Sequence, residues 1–317
     1  MADSTDLLYV LAPTAPGDLV ASRPVLAALA KNKPLNVAVE KSLAPLLAGL
    51  SHSCTTYEIK ESVNVHHPDF KRSLQGLDIP AEAHVLDLIG TLPTLDWLAE
   101  RHGPSSGYNF DTTSKLPYDN LIEWQLQKDG AIDRSHYAVR LLRIIPEYAE
   151  NTWWPNAFDL PSFGYHVAAS PGQIAMIPGS GKGGTGKRMP VAFWRLLATS
   201  LREQKLTPVW FLGPDEVNLV DELVCSGDIW AGAAWPEIIR AHATCAYGFS
   251  NDTCHVHIRA HIPRSTFVFF RRDDGAEWGG YPRHVNYIEP PATLDDRQAL
   301  NEARSWLCTQ MNAGRGA

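Results

Sequence analysis

The sequence predicts an α/β protein in two halves, each built on a parallel sheet with helices packed on its faces. Three observations carry this. Short apolar runs alternate with helix-period segments. The alternation breaks between Pro146 and Pro171, where "NTWWPNAFDLPSFGYHVAASPG" is rich in proline and aromatic residues and has no period. It then resumes. A chain of 317 residues is long enough for two ordinary domains. We place the first over residues 1–165 and the second over 166–317, with sheets facing a cleft and the last helix packing back on the first domain.

In the first half, "LLYVLAP", "LNVAVEK", "TTYEIK" and "AHVLDLIG" read as strands. "SRPVLAALAKN", "SLAPLLAGL" and "LPTLDWLAERHG" read as helices, with Leu26, Leu29 and Ala30 at the offsets of one buried face. Two further helices are expected around "NLIEWQLQKD" and "SHYAVRLLRII". The aromatic connection that follows should be packed, because Trp153, Trp154 and Phe158 are costly to leave in water.

In the second half, "QIAMI", "TPVWFLG", "CAYGFS" and "STFVFF" read as strands. "VAFWRLLATSLREQ", "EVNLVDELVC", "PEIIRAHA" and "HVHIRAHI" read as helices. "DDRQALNEARSWLCTQM" forms the terminal helix, with an acidic start and Leu300, Ala303 and Leu307 on one face. Sheets of this kind bind ligands at the C-terminal ends of their strands.

Composition narrows the function. Lys and Arg number 28 against 35 Asp and Glu, a net charge of −7, which argues against bulk nucleic-acid binding. A local basic patch for an anionic substrate remains compatible with that balance. The start "MADSTD" lacks the basic and apolar regions of a signal peptide, and no apolar run nears the ~20 residues of a membrane span. Cys54, Cys225, Cys245, Cys254 and Cys308 are odd in number and scattered, which suits a reducing cytoplasm better than a disulfide framework.

The most informative stretch is "GSGKGGTGKRMP", Gly179 to Pro190, between a strand and a helix. Gly181, Gly186 and Lys187 match the spacing of a P-loop, but Arg188 stands where a Ser or Thr hydroxyl would hold Mg²⁺. A triphosphatase is therefore disfavoured, while phosphate binding is not. The backbone N–H groups of Gly179, Ser180, Gly183, Gly184 and Thr185 can approach an anion, and the following helix start adds partial positive charge. Lys187 supplies a point charge able to neutralise a departing diphosphate. The alternative is a flexible, exposed basic loop.

Other positions carry paired readings. Asp18, after Gly17 at the end of the first strand, is a general base for an acceptor hydroxyl or a helix cap. Asp252 and Thr253 suit a pyrophosphate or sugar hydroxyl, or a cap. Glu216 suits ribose hydroxyls, or is an exposed first-turn Glu. Arg23 meets an acidic acceptor or pairs with a carboxylate. His257 and His261 share a helix face, but no Glu accompanies them as in a zinc peptidase, so no metal site is expected. The pair His66–His67 and Lys71–Arg72 lie in an acceptor loop or a solvated one.

Four segments together resemble glycosyltransferase family 9, the ADP-heptose lipopolysaccharide heptosyltransferases. They are "APGDLVASRPVLAAL", "VLDLIGTLPTLDWLAERHGPSSGYN", "GKRMPVAFWRLLATSL" and "FSNDTCHVHIRAHIP", similar in order and spacing over most of the chain. The resemblance implies a GT-B architecture of two Rossmann-like domains, acceptor on the first and nucleotide sugar on the second. It implies inverting, metal-independent transfer with Asp18 as base and the segment from Asp252 through Cys254 to His257 at the donor. It also places Gly17 and His136 at the acceptor; the alternative for His136 is a capping or buried, hydrogen-bonded histidine. The chain departs from the family pattern at Met189, Cys254, Arg259 and His261, and lacks the Arg usual before the Gly-Asp turn.

The resulting expectation is a cytoplasmic glycosyltransferase moving a sugar, heptose by resemblance, from an ADP-sugar donor to a lipopolysaccharide-core or related anionic glycan or glycolipid. It needs no cofactor and no nucleic acid. Contact with the inner face of the membrane would come through the acceptor's lipid. The alternative is a catalytically silent nucleotide-sugar or glycan-binding protein on the same fold.

Overall fold

The computed structural model describes residues 8–32, 34–59, 64–108, 120–122, 136–145, 160–181, 185–213, 216–223, 229–271, 278–279, 281–288 and 296–315. The chain divides into two compact units, Met1–Pro161 and Ser162–Ala317.

The first unit holds six strands: β1 (Leu8–Leu11), β2 (Leu35–Glu40), β3 (Ser53–Tyr57), β4 (His84–Asp87), β5 (Ser105–Tyr108) and β6 (Asn120–Ile122). All pairings are parallel, in the order β3-β2-β1-β4-β5-β6. The helices are α1 (Pro16–Asn32), α2 (Phe70–Leu74), α3 (Leu92–Arg101) and α4 (Tyr137–Leu142). Val10, Leu11, Val37, Ala38 and Val39 are fully buried, as strands covered on both faces require.

Two segments differ from the expected helices. "SLAPLLAGL" forms a 3-10 turn over Lys41–Leu47, where Pro45 has no N–H for an α-helical ladder. "NLI" is the edge strand β6, parallel to β5, and the rest of that expected helix lies outside the described residues.

The second unit repeats the plan. Its strands are β7 (Ser170–Ile177), β8 (Thr207–Leu212), β9 (Ile229–Ala231), β10 (Cys245–Asn251), β11 (Ser265–Phe270) and β12 (His284–Ile288), in the order β12-β11-β10-β7-β8-β9. Counted from its own first strand, this is the same order as in the first unit. Five helices complete it: α5 (Val191–Glu203), α6 (Leu219–Leu223), α7 (Trp235–Thr244), α8 (Cys254–His261) and α9 (Asp296–Arg315).

One core layer joins Phe193, Trp194, Leu197 and Leu201 of α5 to Met176, Trp210, Phe249 and Phe269 of the sheet. Ala299, Ala303 and Leu307 of α9, one turn apart, lie in this core of the second unit.

Beneath the sheet of the second unit lies a buried cation. Arg259 is fully inaccessible, and its Nε donates to Thr266 Oγ1 at 2.8 Å and its Nη2 to the Ser265 carbonyl at 3.1 Å. Burial lowers its pKa to about 10, so it stays charged at neutral pH. Gly248 makes room for it: a Cβ there would stand 2.8 Å from Arg259 Nε and 3.1 Å from Ala175 Cβ. Gly248→Ala should therefore destabilise the second unit by about 1–3 kcal/mol, the usual cost of overpacking a filled core. Chemical denaturation would read this as an earlier midpoint at unchanged slope.

Candidate active site

In both sheets the strand order reverses about the first strand, and the turns following the two strands at that point define a crevice for ligands. In the second unit these strands are β7 and β10. The glycine loop leaves β7, and Asp252 and Thr253 leave β10. Topology alone brings the two sequence segments together.

Asn251 fastens them. Fully buried at the end of β10, it donates from Nδ2 to the Pro178 carbonyl at 2.6 Å and accepts at Oδ1 from the Met189 N–H at 3.1 Å. It therefore grips both ends of the Gly179–Arg188 loop. Sequence reasoning passed over Asn251; its only signal was its place at a strand end beside Asp252. Met189 itself is 3% exposed and lies in the core, so this departure from the family pattern fills space behind the loop.

Lys187 closes a 3-10 turn, Thr185–Lys187, and its Nζ is ion-paired with the Asp252 carboxylate. The side chain of Asp252 is 8% exposed and that of Lys187 26%, so Lys187 is held at the site and is not the exposed loop lysine of the alternative reading. Thr253 is the N-cap of α8, its hydroxyl accepting from the His255 N–H at 3.2 Å. The cap reading thus describes Thr253. Cys254 opens α8, and desolvation raises its thiol to about 12, so it is a neutral thiol.

Glu216 departs most from expectation. Its carboxylate is 5% exposed and accepts from the N–H groups of Ser180 (2.6 Å), Gly181 (2.8 Å) and Gly213 (2.9 Å). Arg188 Nη2 adds an ion pair at 3.1 Å, and Arg188 Nε donates to Ser180 Oγ at 3.0 Å. Burial opposes ionisation of Glu216, but these donors outweigh it and hold its pKa below the usual carboxylate range.

The N–H groups expected to meet a phosphate at Ser180 therefore serve Glu216, and Glu216 is a buried loop anchor, not an exposed first-turn residue. Gly179 is required by the same geometry: a Cβ there would lie 1.7 Å from Glu216 Oε2. Gly183 and Gly184 lie outside the described residues.

The histidines of α8 are buried, and burial keeps His255 and His257 neutral. His257 Nδ1 lies 2.7 Å from the Tyr281 hydroxyl, with the Trp278 ring edge-on at 6.3 Å. Burial, then the Lys187 charge, lowers its pKa to about 3. His255 Nδ1 lies 2.8 Å from His242 Nε2, and His242 stacks on Phe211 with ring centroids 3.7 Å apart. Burial lowers His255 to about 4 and holds His242 well below its ordinary value. His261 sits edge-on to Phe163. Among the described residues no three His, Cys, Asp or Glu side chains gather as a metal site.

In the first unit, Gly17 and Asp18 form the first turn of α1 at the equivalent strand reversal between β1 and β4. α1 packs on α4, whose N-cap is His136. The His136 Nδ1 accepts from the Ala138 N–H at 3.1 Å, so this histidine caps its helix. The adjacent Tyr137 is buried, and burial together with the Asp18 charge raises its hydroxyl pKa well above 10. Asp18 thus lies near enough to Tyr137 for its charge to be felt there.

Arg23 lies elsewhere. It is fully buried, and its Nη2 donates to the carbonyls of Ala48 (2.9 Å) and Pro161 (3.0 Å), with Nη1 on the Leu46 carbonyl. Its role is to hold the chain after β2 and the end of the first unit. That corrects the acceptor assignment, because its donors meet backbone and its side chain is out of solvent.

The sequence matches no family model, and it matches no curated protein. Solved structures do match. Heptosyltransferase WaaC of E. coli with ADP aligns over 94% of this chain and 99% of its own, at TM-score 0.70 and 15% identity. The E. coli ADP-heptose LPS heptosyltransferase II aligns over 96% and 99%, at 0.68 and 15%. A glycosyl transferase family 9 protein from Veillonella parvula aligns over 98% and 99%, at 0.72 and 12%. The fold is that of the family 9 glycosyltransferases. Within it, the GT-B expectation of two parallel-sheet α/β units holds. No helix among the described residues is long and apolar enough to cross a membrane.

Proposed function

We propose that this chain is a glycosyltransferase that moves a sugar from a nucleoside-diphosphate sugar, ADP-heptose by resemblance, to a hydroxyl of an anionic glycan or glycolipid in lipopolysaccharide-core or related synthesis. The observation that carries the reading is the Lys187–Asp252 pair at the strand reversal of the second unit, framed by the Asn251-fastened loop. A cation held on a rigid strand end is placed to offset charge as a diphosphate departs. WaaC has been solved with ADP and with ADP-2-deoxy-2-fluoro heptose, which supports the choice of donor.

In this reading Asp18 takes the proton from the acceptor hydroxyl as its oxygen attacks the anomeric carbon, and the nucleoside diphosphate leaves from the opposite face with inversion. Lys187 stabilises the departing oxygen. The Thr253–His257 turn shapes the sugar pocket, with neutral His257 oriented by Tyr281. No step calls for a protein-bound metal. Work in the cytoplasm, with peripheral membrane contact through the acceptor's lipid, fits this chemistry.

Thermal unfolding with nucleotides tests the donor. ADP should raise the melting temperature more than UDP or GDP, and without Mg²⁺. At 100 times its dissociation constant a ligand stabilises the fold by ~2.7 kcal/mol. Lys187→Ala should shrink the ADP shift. It should also lower the unliganded stability by about 1–2 kcal/mol, since it strands the nearly buried Asp252 carboxylate. A UDP or GDP preference would move the donor away from ADP-heptose. Strong Mg²⁺-dependent ATP hydrolysis lost in Lys187→Ala would replace transfer with a P-loop reaction. Donor binding without transfer or hydrolysis would leave the silent binding protein.

A further inference from the structure

Charge at the donor edge of the second unit is unevenly matched. Lys187 is paired with Asp252, and Arg188 with Glu216. Arg271 is a further cation there among the described residues. It follows the last residue of β11, the strand beside β10, with Asn251 and Phe269 in register across the pair. Its Nη1 donates to the Arg188 carbonyl at 2.7 Å, which draws the guanidinium against the backbone next to Lys187.

Its other edge finds no partner among the described residues. Nε is buried with no acceptor, and no hydrogen bond from Nη2 and no carboxylate partner of Arg271 is found among the described residues. The Nε and Nη2 donors of arginine form a parallel fork that fits two oxygens of one phosphate or carboxylate. A buried N–H without an acceptor is rare in folded proteins and marks a position completed by something else. A guanidinium fixed through one nitrogen, with its fork unfilled and no carboxylate partner among the described residues, is suited to receive an anion.

We propose that Arg271 is an anion-binding residue of the donor site, its Nε–Nη2 fork taking a phosphate of the nucleoside diphosphate while Lys187 meets the same group from the glycine loop. The proposal rests on the donor reading for the identity of the ligand, but not for the anion itself. Arg271 would also couple the two sides of the crevice, since its third nitrogen holds the loop carrying Lys187.

The test measures binding of ADP, adenosine and inorganic pyrophosphate by calorimetry, with the whole chain, to the unaltered protein, Arg271→Gln and Arg271→Lys. Arg271→Gln should weaken ADP and pyrophosphate on the order of 10–100-fold, the range of a lost charge-assisted pair. Adenosine, which has no phosphate, should bind both proteins alike. Arg271→Lys keeps the charge but not the fork, and should recover part of the loss. It also serves if the glutamine variant melts early.

Equal ADP and pyrophosphate affinity in all three proteins would overturn the proposal while leaving the transferase reading intact. Pyrophosphate binding that depends on Arg271, with no nucleotide preference at all, would uphold the anion site and remove the nucleotide-sugar reading. Binding of neither ADP nor pyrophosphate to the unaltered protein would overturn both.

Discussion

Asp18→Asn should lower sugar transfer by roughly 10²–10⁴, the range expected for loss of a general base, while ADP binding is unchanged. Asp18 stands in the first turn of α1, at the strand reversal of the first unit, where a carboxylate is favoured by the helix start as well as available for proton transfer. The substitution keeps shape and hydrogen-bonding capacity, so a fold-only role predicts a small change in melting and normal turnover. Measuring kcat under saturating donor, together with the melting temperature, separates the two. Normal transfer with melting lowered by several degrees would make Asp18 a helix-start residue only.

Acidification should open the second unit well before carboxylates titrate. In the unfolded chain a histidine takes a proton near pH 6.5. In the fold, burial holds His255 to about 4 and His257 to about 3, and His242 is lowered in the same sense. Between those values the unfolded state binds more protons, so the stabilisation is complete above pH 6.5 and is lost as pH falls toward 4.

Each group costs about 1.4 kcal/mol per pH unit over that window, so His255 and His257 together remove about 4 kcal/mol between pH 6.5 and 5. Against a typical domain stability of about 5–15 kcal/mol that is a large share. Fluorescence of the buried Trp194 and Trp210 should report it as a melting temperature falling steeply below pH 6.5. A flat melting temperature from pH 7 to 5 would mean that these imidazoles are not held neutral. Replacing His255 with Gln should flatten part of the slope.

The sequence by itself determined the elements that depend on local pattern. Central strands such as β7, β8, β10 and β11 are continuous apolar runs because both faces are covered, and they were legible as such. Amphipathic α5 and α9 followed from spacing, and the glycine loop from composition. Lys187 was legible as the lysine of the glycine loop and Asp252 as a strand-end residue, though not as a pair 65 residues apart. Strands β5, β6, β9 and β12 escaped notice; the last three are edges, where less burial is needed and the pattern is weaker.

Tertiary structure alone decided what the polar residues do, because their partners lie far along the chain. Glu216 reads as a ribose ligand or a surface residue until the loop 36 residues earlier turns its N–H groups onto it. Arg23 reads as a cation for an acceptor until Ala48 and Pro161 bring carbonyls to its guanidinium. The state of the α8 histidines was not legible until packing against Phe211, Phe163 and Tyr281 removed water and held His255 and His257 neutral. Periodicity reports which side of an element is buried. The fate of a buried charge depends on which distant donors and acceptors the folded backbone delivers to it.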